Sequence, residues 1–459
     1  MPVSAVSTAA VAARPRLSLT VAMLGFFVVA LDAQIVNVAL PEIRSDLGGG
    51  LAGLQWVVTG YTLMFSALQL FAGTFSDRTG ARRAYGLGMI LFTVASAACA
   101  FSPTLPTLIG GRILQGIGAA MITPASLALI REAYHDAAAR GRAIVYWGLG
   151  GSVAAAAGPV LGGLLTQIDW RLIFFVNLPV GAAALAVLSR VAPSPRRPAP
   201  FDWAGQITAV LALASLTYGI IEGAEAGYGS PGILLMFAVC AVSVVAFIRV
   251  QAKGRHPMIP LDLFRSRAVS TVLIIAVVTM AAFYGIVFLQ SLYFQQERGS
   301  SALETGLLFL PMTALVAILN PWVARLMARY GHAAMIAAGQ VVMAAGLAGL
   351  CFLPPDAPVL LVAALMIPVG VGGSFTVPSI IAVVLDQVPA ERAGTASGVV
   401  NTARQVGGSL GVAIFGAVLA SGEFMAGMRA SLGVTAAVLI ILVLVSMALR
   451  PGRQQQDTH

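Results

Sequence analysis

Apolar runs recur along this chain at near-regular intervals, each about as long as a bilayer is thick. A helix needs about 20 mostly apolar residues to cross the hydrocarbon core. Fourteen windows meet that need, near 18–40, 54–73, 84–102, 105–129, 142–166, 172–190, 204–222, 232–250, 268–291, 303–325, 332–353, 358–382, 394–420 and 430–449. In lipid the backbone N–H and C=O groups must be satisfied within the protein, which leaves helices or closed barrels; windows of this length predict helices. Charged residues make up 10% of the chain and its mean hydropathy is +0.90, whereas soluble domains carry about 25% charged residues. The 49 glycines suit close helix contacts in lipid. The expected fold class is an all-α polytopic membrane protein, embedded in a lipid bilayer.

The net charge of +9 could point to nucleic acid, but its distribution excludes that reading. With the N-terminus on the inner side, 21 basic residues fall inside, 4 outside (Arg44, Arg171, Arg298, Arg429) and 2 within windows (Arg112, Arg404). This is the positive-inside pattern of a multi-pass protein with both termini cytoplasmic. The first window is long and has no small-residue cleavage site close behind it, so it reads as a retained helix and not a signal peptide. Twenty-six arginines against one lysine, with abundant Ala and Gly, point to a GC-rich bacterial genome and hence a bacterial cytoplasmic membrane. Cys99, Cys240 and Cys351 stand singly in apolar windows as core residues, and the four histidines fall in loops or at the tail, so neither a metal site nor any cofactor is expected. The loops are too short to build a soluble domain, no Ser/His/Asp set is present, and no GxxxxGK[ST] loop exists. An enzyme is therefore not expected, nor transport driven directly by ATP.

Arg112, in Gly111-Arg112-Ile-Leu-Gln115-Gly116-Ile-Gly118-Ala119, lies inside an apolar window, where a charge is costly without a partner or water. Asp32 lies in the first window, about fifteen residues from its inner end, which at ~1.5 Å per residue is just past mid-bilayer. An acid there either carries protons or braces a neighbouring helix. Arg112 either clamps two helices together or tunes such an acid, and Gln115 shares its face. On a helical wheel Asp32, Val36 and Ala39 share one face, while Gln34 and Asn37 occupy another as a candidate substrate-facing pair. Gly150, Ala154, Gly158 and Gly162 recur every fourth residue, a stripe that admits a helix to backbone contact, with Pro159 to bend it. Tyr284 and Phe288 are one turn apart and could stack on a lipophilic substrate. Asn401, Arg404 and Gln405 form a second polar patch, in which Arg404 needs a partner that the sequence does not name.

Two halves show weak internal similarity. Gly73-Thr-Phe-Ser-Asp77-Arg78-Thr-Gly80 follows the second window and Ala328-Arg329-Tyr-Gly331 follows the tenth. Six-helix units starting at windows 1 and 9 account for this, with windows 7 and 8 inserted between them, and repeated halves with a site between them are common in secondary transporters. The expected domains are an N-terminal six-helix bundle (1–190), a proline-rich cytoplasmic linker (191–203), an inserted helix pair (204–250), and a C-terminal six-helix bundle with a short cytoplasmic tail (251–459).

In Leu31-Asp32-Ala-Gln34-Ile-Val-Asn37-Val-Ala-Leu40-Pro41, in Gly73 to Arg83, in Arg112 to Ala119 and in Gly158-Pro159-Val-Leu-Gly162-Gly163, the chain resembles the 14-helix drug:proton antiporter branch of the major facilitator superfamily. Phe75, Ala81 and Ala154 depart from those signatures. The resemblance implies a major facilitator fold of two six-helix bundles plus two inserted helices. It implies export of small amphiphilic or cationic compounds, drugs or antibiotics, in exchange for protons. It also implies proton coupling through Asp32 and Arg112, a cytoplasmic gate at Gly73, Asp77, Arg78 and Gly80, and an antiport seam at Gly150, Gly158, Pro159 and Gly162. Gln34, Asn37, Gln115, Tyr284, Phe288 and Asn401 are the candidate substrate-binding residues. The partners expected are a small-molecule substrate, protons and lipid, with the protein acting as a monomer. The alternative is a facilitator or proton-coupled transporter of an endogenous metabolite on the same scaffold.

Overall fold

The computed structural model describes residues 15–196, 200–388, 392–420 and 422–448. Residues 197–199 of the predicted linker, together with Arg14, Glu391, Arg450, Arg453 and the rest of the tail, lie outside them. The described residues fold entirely into helices and their connections: α1 (Pro15–Leu47), α2 (Leu51–Thr79), α3 (Ala81–Ala100), α4 (Leu105–Ala133), α5 (Ala137–Thr166), α6 (Leu172–Phe175), α7 (Asn177–Leu188), α8 (Trp203–Ala226), α9 (Pro231–Lys253), α10 (Arg267–Leu292), α11 (Ala302–Tyr330), α12 (His332–Cys351), α13 (Val359–Asp386), α14 (Ala393–Ala420) and α15 (Phe424–Ala448).

Among the described residues, twelve helices are long and apolar enough to cross a membrane, and two further segments, Leu172–Leu188 and Ala302–Val316, are shorter apolar helices. The fourteen windows therefore do not all become full-length spans. The sixth is divided between α6 and α7 beside a fully buried polar residue, Asn177. The tenth lies within α11, which runs for 29 residues to Tyr330.

Local chemistry sets the helix ends. Thr104 and Thr107 form a capping box before α4, Ser301 and Glu304 form one before α11, and the Asp136 carboxylate accepts the Ala138 and Ala139 amides at the start of α5. Gly80 (φ 91°) and Gly331 (φ 80°) end α2 and α11 in the left-handed region that glycine adopts without strain. Each follows an Arg by two positions, so the sequence similarity between the halves corresponds to the same backbone turn.

One face of the bundle carries the connections rich in arginine, such as Arg78, Arg82 and Arg83 between α2 and α3, and Arg131, Arg140 and Arg142 between α4 and α5. We call this the basic face. Toward it the core is split. Val21, Phe65, Met89 and Leu129 belong to a first-half cluster, and Leu273, Ile336, Ile380 and Val400 to a second-half one, with Leu70 of α2 the link between them. Toward the opposite face the core is continuous across both halves, running from Ile35 and Leu54 through Phe174, Phe288 and Phe309 to Leu432. There Ser291 Oγ donates to the Asn37 carbonyl (2.5 Å) and Gln295 Nε2 to the Val38 carbonyl (2.9 Å). The buried apolar core is thus continuous on one side and divided into two clusters on the other, where the halves still touch: a Cβ on Gly398 would lie 2.9 Å from Leu70 and one on Gly394 3.5 Å from Arg131 Nη1.

The pair α8–α9 rides outside this frame. The Gln206 amide reaches the Ala67 carbonyl (2.9 Å), and Trp56 Nε1 donates to Glu222 (2.7 Å). Ser194 fastens the linker by accepting the Arg82 amide (3.0 Å) and donating to Glu132.

Candidate functional site

Asp32 and Arg112 meet as an ion pair between α1 and α4, and neither has any exposed side-chain surface. The pair sits in a cage of polar side chains drawn from four helices. Arg112 Nη1 donates to Asp32 Oδ2 and to Gln115 Oε1 (2.8 Å), and Arg112 Nε donates to the Val57 carbonyl of α2 (2.9 Å). Asp32 Oδ1 accepts from Gln115 Nε2 (3.0 Å) and from Asn177 Nδ2 of α7 (2.8 Å). Both amides also reach Ser96 Oγ of α3, at 2.8 and 3.3 Å, and Ser96 donates to the Phe92 carbonyl. The Tyr61 ring lies 4.5 Å from the guanidinium carbon and caps it, while the Tyr61 hydroxyl is tied to the Val29 carbonyl (3.0 Å). Cys99 Sγ approaches Gln115 Oε1 at 3.4 Å. A buried ion pair contributes little unless further hydrogen bonds satisfy both members, and here nearly all are satisfied. The exception is Arg112 Nη2, which is buried without an acceptor.

Close packing brings these groups together. A Cβ on Gly111 would sit 2.5 Å from Cys99 Sγ, and Gly116 lies against the Tyr61 carbonyl. Gly-rich α4 therefore presses its Arg112 face against α2 and α3. The carboxylate faces donors only, with the amides in these orientations. A proton added to Asp32 would need an acceptor, and the one the cage holds, Asn177 Oδ1, is buried without a donor, so protonation requires at least that amide to turn.

The other sequence candidates are dispersed. Gln34 is buried against α5, where a Cβ on Gly158 would approach Gln34 Cβ at 2.7 Å. Asn37 bonds back to the Ala33 and Gln34 carbonyls (3.2 and 3.3 Å) and leaves its Oδ1 unpartnered. The polar pair on α1 thus packs against protein and does not line an open cavity. The small-residue stripe of α5 lies along α1: a Cβ on Gly150 would be 3.3 Å from the Met23 carbonyl, and one on Gly162 2.6 Å from the Ile35 carbonyl. Pro159 and Gly163 face α11 instead, meeting Gly306 and Ala302 backbone to backbone.

Asp77 and Arg78 are exposed at the basic face. Arg78 lies 4.9 Å from the Phe201 ring, and Asp77 has no hydrogen bond or ion pair to another described residue. Gly80 makes its turn, and nothing lies within 4 Å of where a Cβ on Gly73 would sit. Phe288 has no exposed surface and belongs to the continuous core, against which the half-buried Tyr284 packs with its ring edge-on to Phe283 (5.8 Å). Asn401 is half-buried, and its Oδ1 accepts from Arg404 Nη1 at 3.4 Å. Sequence reasoning missed Asn177, Ser96, Cys99 and Tyr61. The available signal was Asn177, an amide in the middle of an apolar window.

On the face opposite the basic one, Asp46 accepts from Trp170 Nε1 (2.9 Å) and Arg171 Nη1 (2.7 Å). The indole hydrogen bond first, then the guanidinium, holds its carboxyl below the usual range.

Comparison with known proteins gives this geometry a context. The family model described as Major Facilitator Superfamily matches residues 22–412. The Multidrug resistance protein Stp of Mycobacterium tuberculosis is 38% identical over 408 residues, covering 88% of this chain and 76% of that protein. The Methylenomycin A resistance protein of Bacillus subtilis is 35% identical over 408 residues, covering 87% of each. A crystal structure of the peptide transporter POT in complex with sulfate superposes with a TM-score of 0.72 at 14% identity, covering 94% of both chains. At that identity it speaks for the fold alone.

Proposed function

The chain belongs to the Major Facilitator Superfamily, and from that premise we propose that it is an exporter of small amphiphilic drugs or antibiotics, driven by protons moving inward. The buried Asp32–Arg112 pair with its Gln115 and Asn177 partners carries this reading. The matching relatives are named for drug and antibiotic resistance, which supports export. In this reading the chain crosses a bacterial cytoplasmic membrane fourteen times with the basic face inward, the two shorter apolar helices completing the count.

Asp32 is the proton carrier. Its carboxylate is held by three donors. Taking up a proton weakens the attraction of Arg112 and presents an O–H to a cage of donors, so the protonated site favours a different packing of α1, α4 and α7. Releasing the proton to the cytoplasm restores the arrangement described here. One proton moving through 100 mV supplies ~2.3 kcal/mol, to which the pH gradient adds. The glycine contacts of α5 with α1 seal the path against leak. Asp77, without a described partner here, latches the two halves on the basic side during the cycle, in the field of a helix N-terminus and nearby arginines.

The test is gradient-driven uptake into everted membrane vesicles over a panel of cationic, neutral and anionic amphiphiles. Asp32→Asn keeps the shape of the side chain but cannot carry a proton. It should lower uphill uptake by about 100-fold, as expected for loss of a proton-transfer group, while counterflow without a gradient persists. Wild-type uphill rates in Asp32→Asn would remove Asp32 from the mechanism.

A further inference from the structure

Arg404 is the second arginine within an apolar helix, and the proton mechanism does not use it. Its helix, α14, is wedged between α2 and α10. A Cβ on Gly398 would lie 2.9 Å from Leu70, and Gly416 presses on Gln55, both on α2. Gly407 and Gly411 press on the Val277 and Ala281 backbone of α10. At ~100° per residue, Asn401, Arg404 and Gly408 fall on one arc between those seams, and a Cβ on Gly408 would meet the Tyr284 ring at 3.0 Å.

The guanidinium has almost nothing to hold it. Nη1 makes one long hydrogen bond to Asn401, Nε is buried with no acceptor, and no described carboxylate pairs with it. Helices α10 and α14 contain no acid, and the described acids of the second half stand at helix ends or in connections. Asp32 cannot serve, since Arg112, Gln115 and Asn177 already occupy both of its oxygens. A membrane-embedded cation needs a counter-ion or water; Arg404 is only half-buried and no described carboxylate pairs with it, which leaves it free to take an anion from outside the protein.

We propose that Arg404, with Asn401 and Tyr284, is a docking point for the acidic group of an anionic amphiphile, such as a carboxylate or phenolate. The Nε–Nη2 edge of Arg404 has no acceptor among the described residues and presents the planar fork that carboxylates match. Asn401 steadies the other nitrogen, and the half-buried Tyr284 ring lies beside the lipophilic body of the ligand. The same inventory argues against cationic substrates, because the embedded carboxylate is already neutralised. This names the substrate class of the proposed exporter and rests on that reading only for the direction of transport.

The test measures equilibrium binding to the purified full-length protein in detergent, by fluorescence anisotropy, for two dyes sharing one ring system: anionic fluorescein and a cationic rhodamine ester. Wild type should prefer fluorescein. Arg404→Gln should weaken fluorescein binding by about 10-fold or more, the loss of one charge-assisted contact, and leave the rhodamine ester within about twofold. Arg404→Lys, which keeps the charge and loses the fork, should fall between. No fluorescein preference in wild type, or equal losses for both dyes in the variants, overturns the proposal, and the wild-type comparison stands even if a variant does not fold. Binding in detergent needs no proton gradient. Intact fluorescein selectivity without gradient-driven export would therefore sink the exporter reading alone, and export of cations only would sink the anion site alone.

Discussion

Two arginines lie inside apolar helices of this molecule, and their surroundings differ in kind. Arg112 is walled in by a carboxylate, an amide, a backbone carbonyl and an aromatic ring, with no exposed surface. Arg404 has one long hydrogen bond and a buried Nε without an acceptor. The first half of the chain has completed its charge chemistry internally, in a cage that changes only when a proton arrives. The second half holds a charge that no described carboxylate balances, on a helix wedged between α2 and α10.

The largest effect should come from removing one member of the completed pair. Arg112→Gln strands the Asp32 carboxylate and should destabilise the protein by about 3–5 kcal/mol, read as a lowered unfolding midpoint in detergent. Arg404→Leu strands no charge, only the long hydrogen bond to half-buried Asn401. Its stability should stay within about 1 kcal/mol of wild type and move upward if at all, because it removes an unbalanced buried charge. Comparable losses in the two variants would break the contrast.

The exposed pair Asp46–Arg171 serves as a reference for both and should give the smallest effect, since surface ion pairs contribute little. The Asp46 carboxyl lies lower in the folded protein than its ordinary value of 3.8. Its contribution is therefore fully present above that value and lost as pH falls through the folded one. Stability against pH should show a low-pH limb in wild type that is weaker in Asp46→Asn, with the two curves converging below the carboxylate range.

Much of this contrast was legible in the sequence, because a charge in an apolar run announces itself. Asp32, Arg112 and Arg404 all stood out on that ground. The partners were harder to see. Ser96 and Cys99 are small and unremarkable in a membrane helix, and Tyr61 reads as one more aromatic. Only the packing of α3, α4 and α7 around α1 turns them into a shell. The helical wheel separated Asp32 from Gln34 correctly, yet it could not tell which face meets protein, and both are buried. Phe288 shows the same limit, since spacing put it one turn from Tyr284 while the continuous core enclosed it. The break between α6 and α7 was also hidden, as an even apolar run gives no sign of where a helix will be interrupted.

Where α5 meets α11, no side chain stands between them: Gly163 rests on the Ala302 backbone, and Gly306 on that of Pro159. Such a joint has no rotamers to exchange and no gaps to refill when one half tilts against the other. It can act as a fulcrum, letting a small rotation at this contact swing the far ends of the helices, roughly 30 Å away across the hydrocarbon, through a much larger arc.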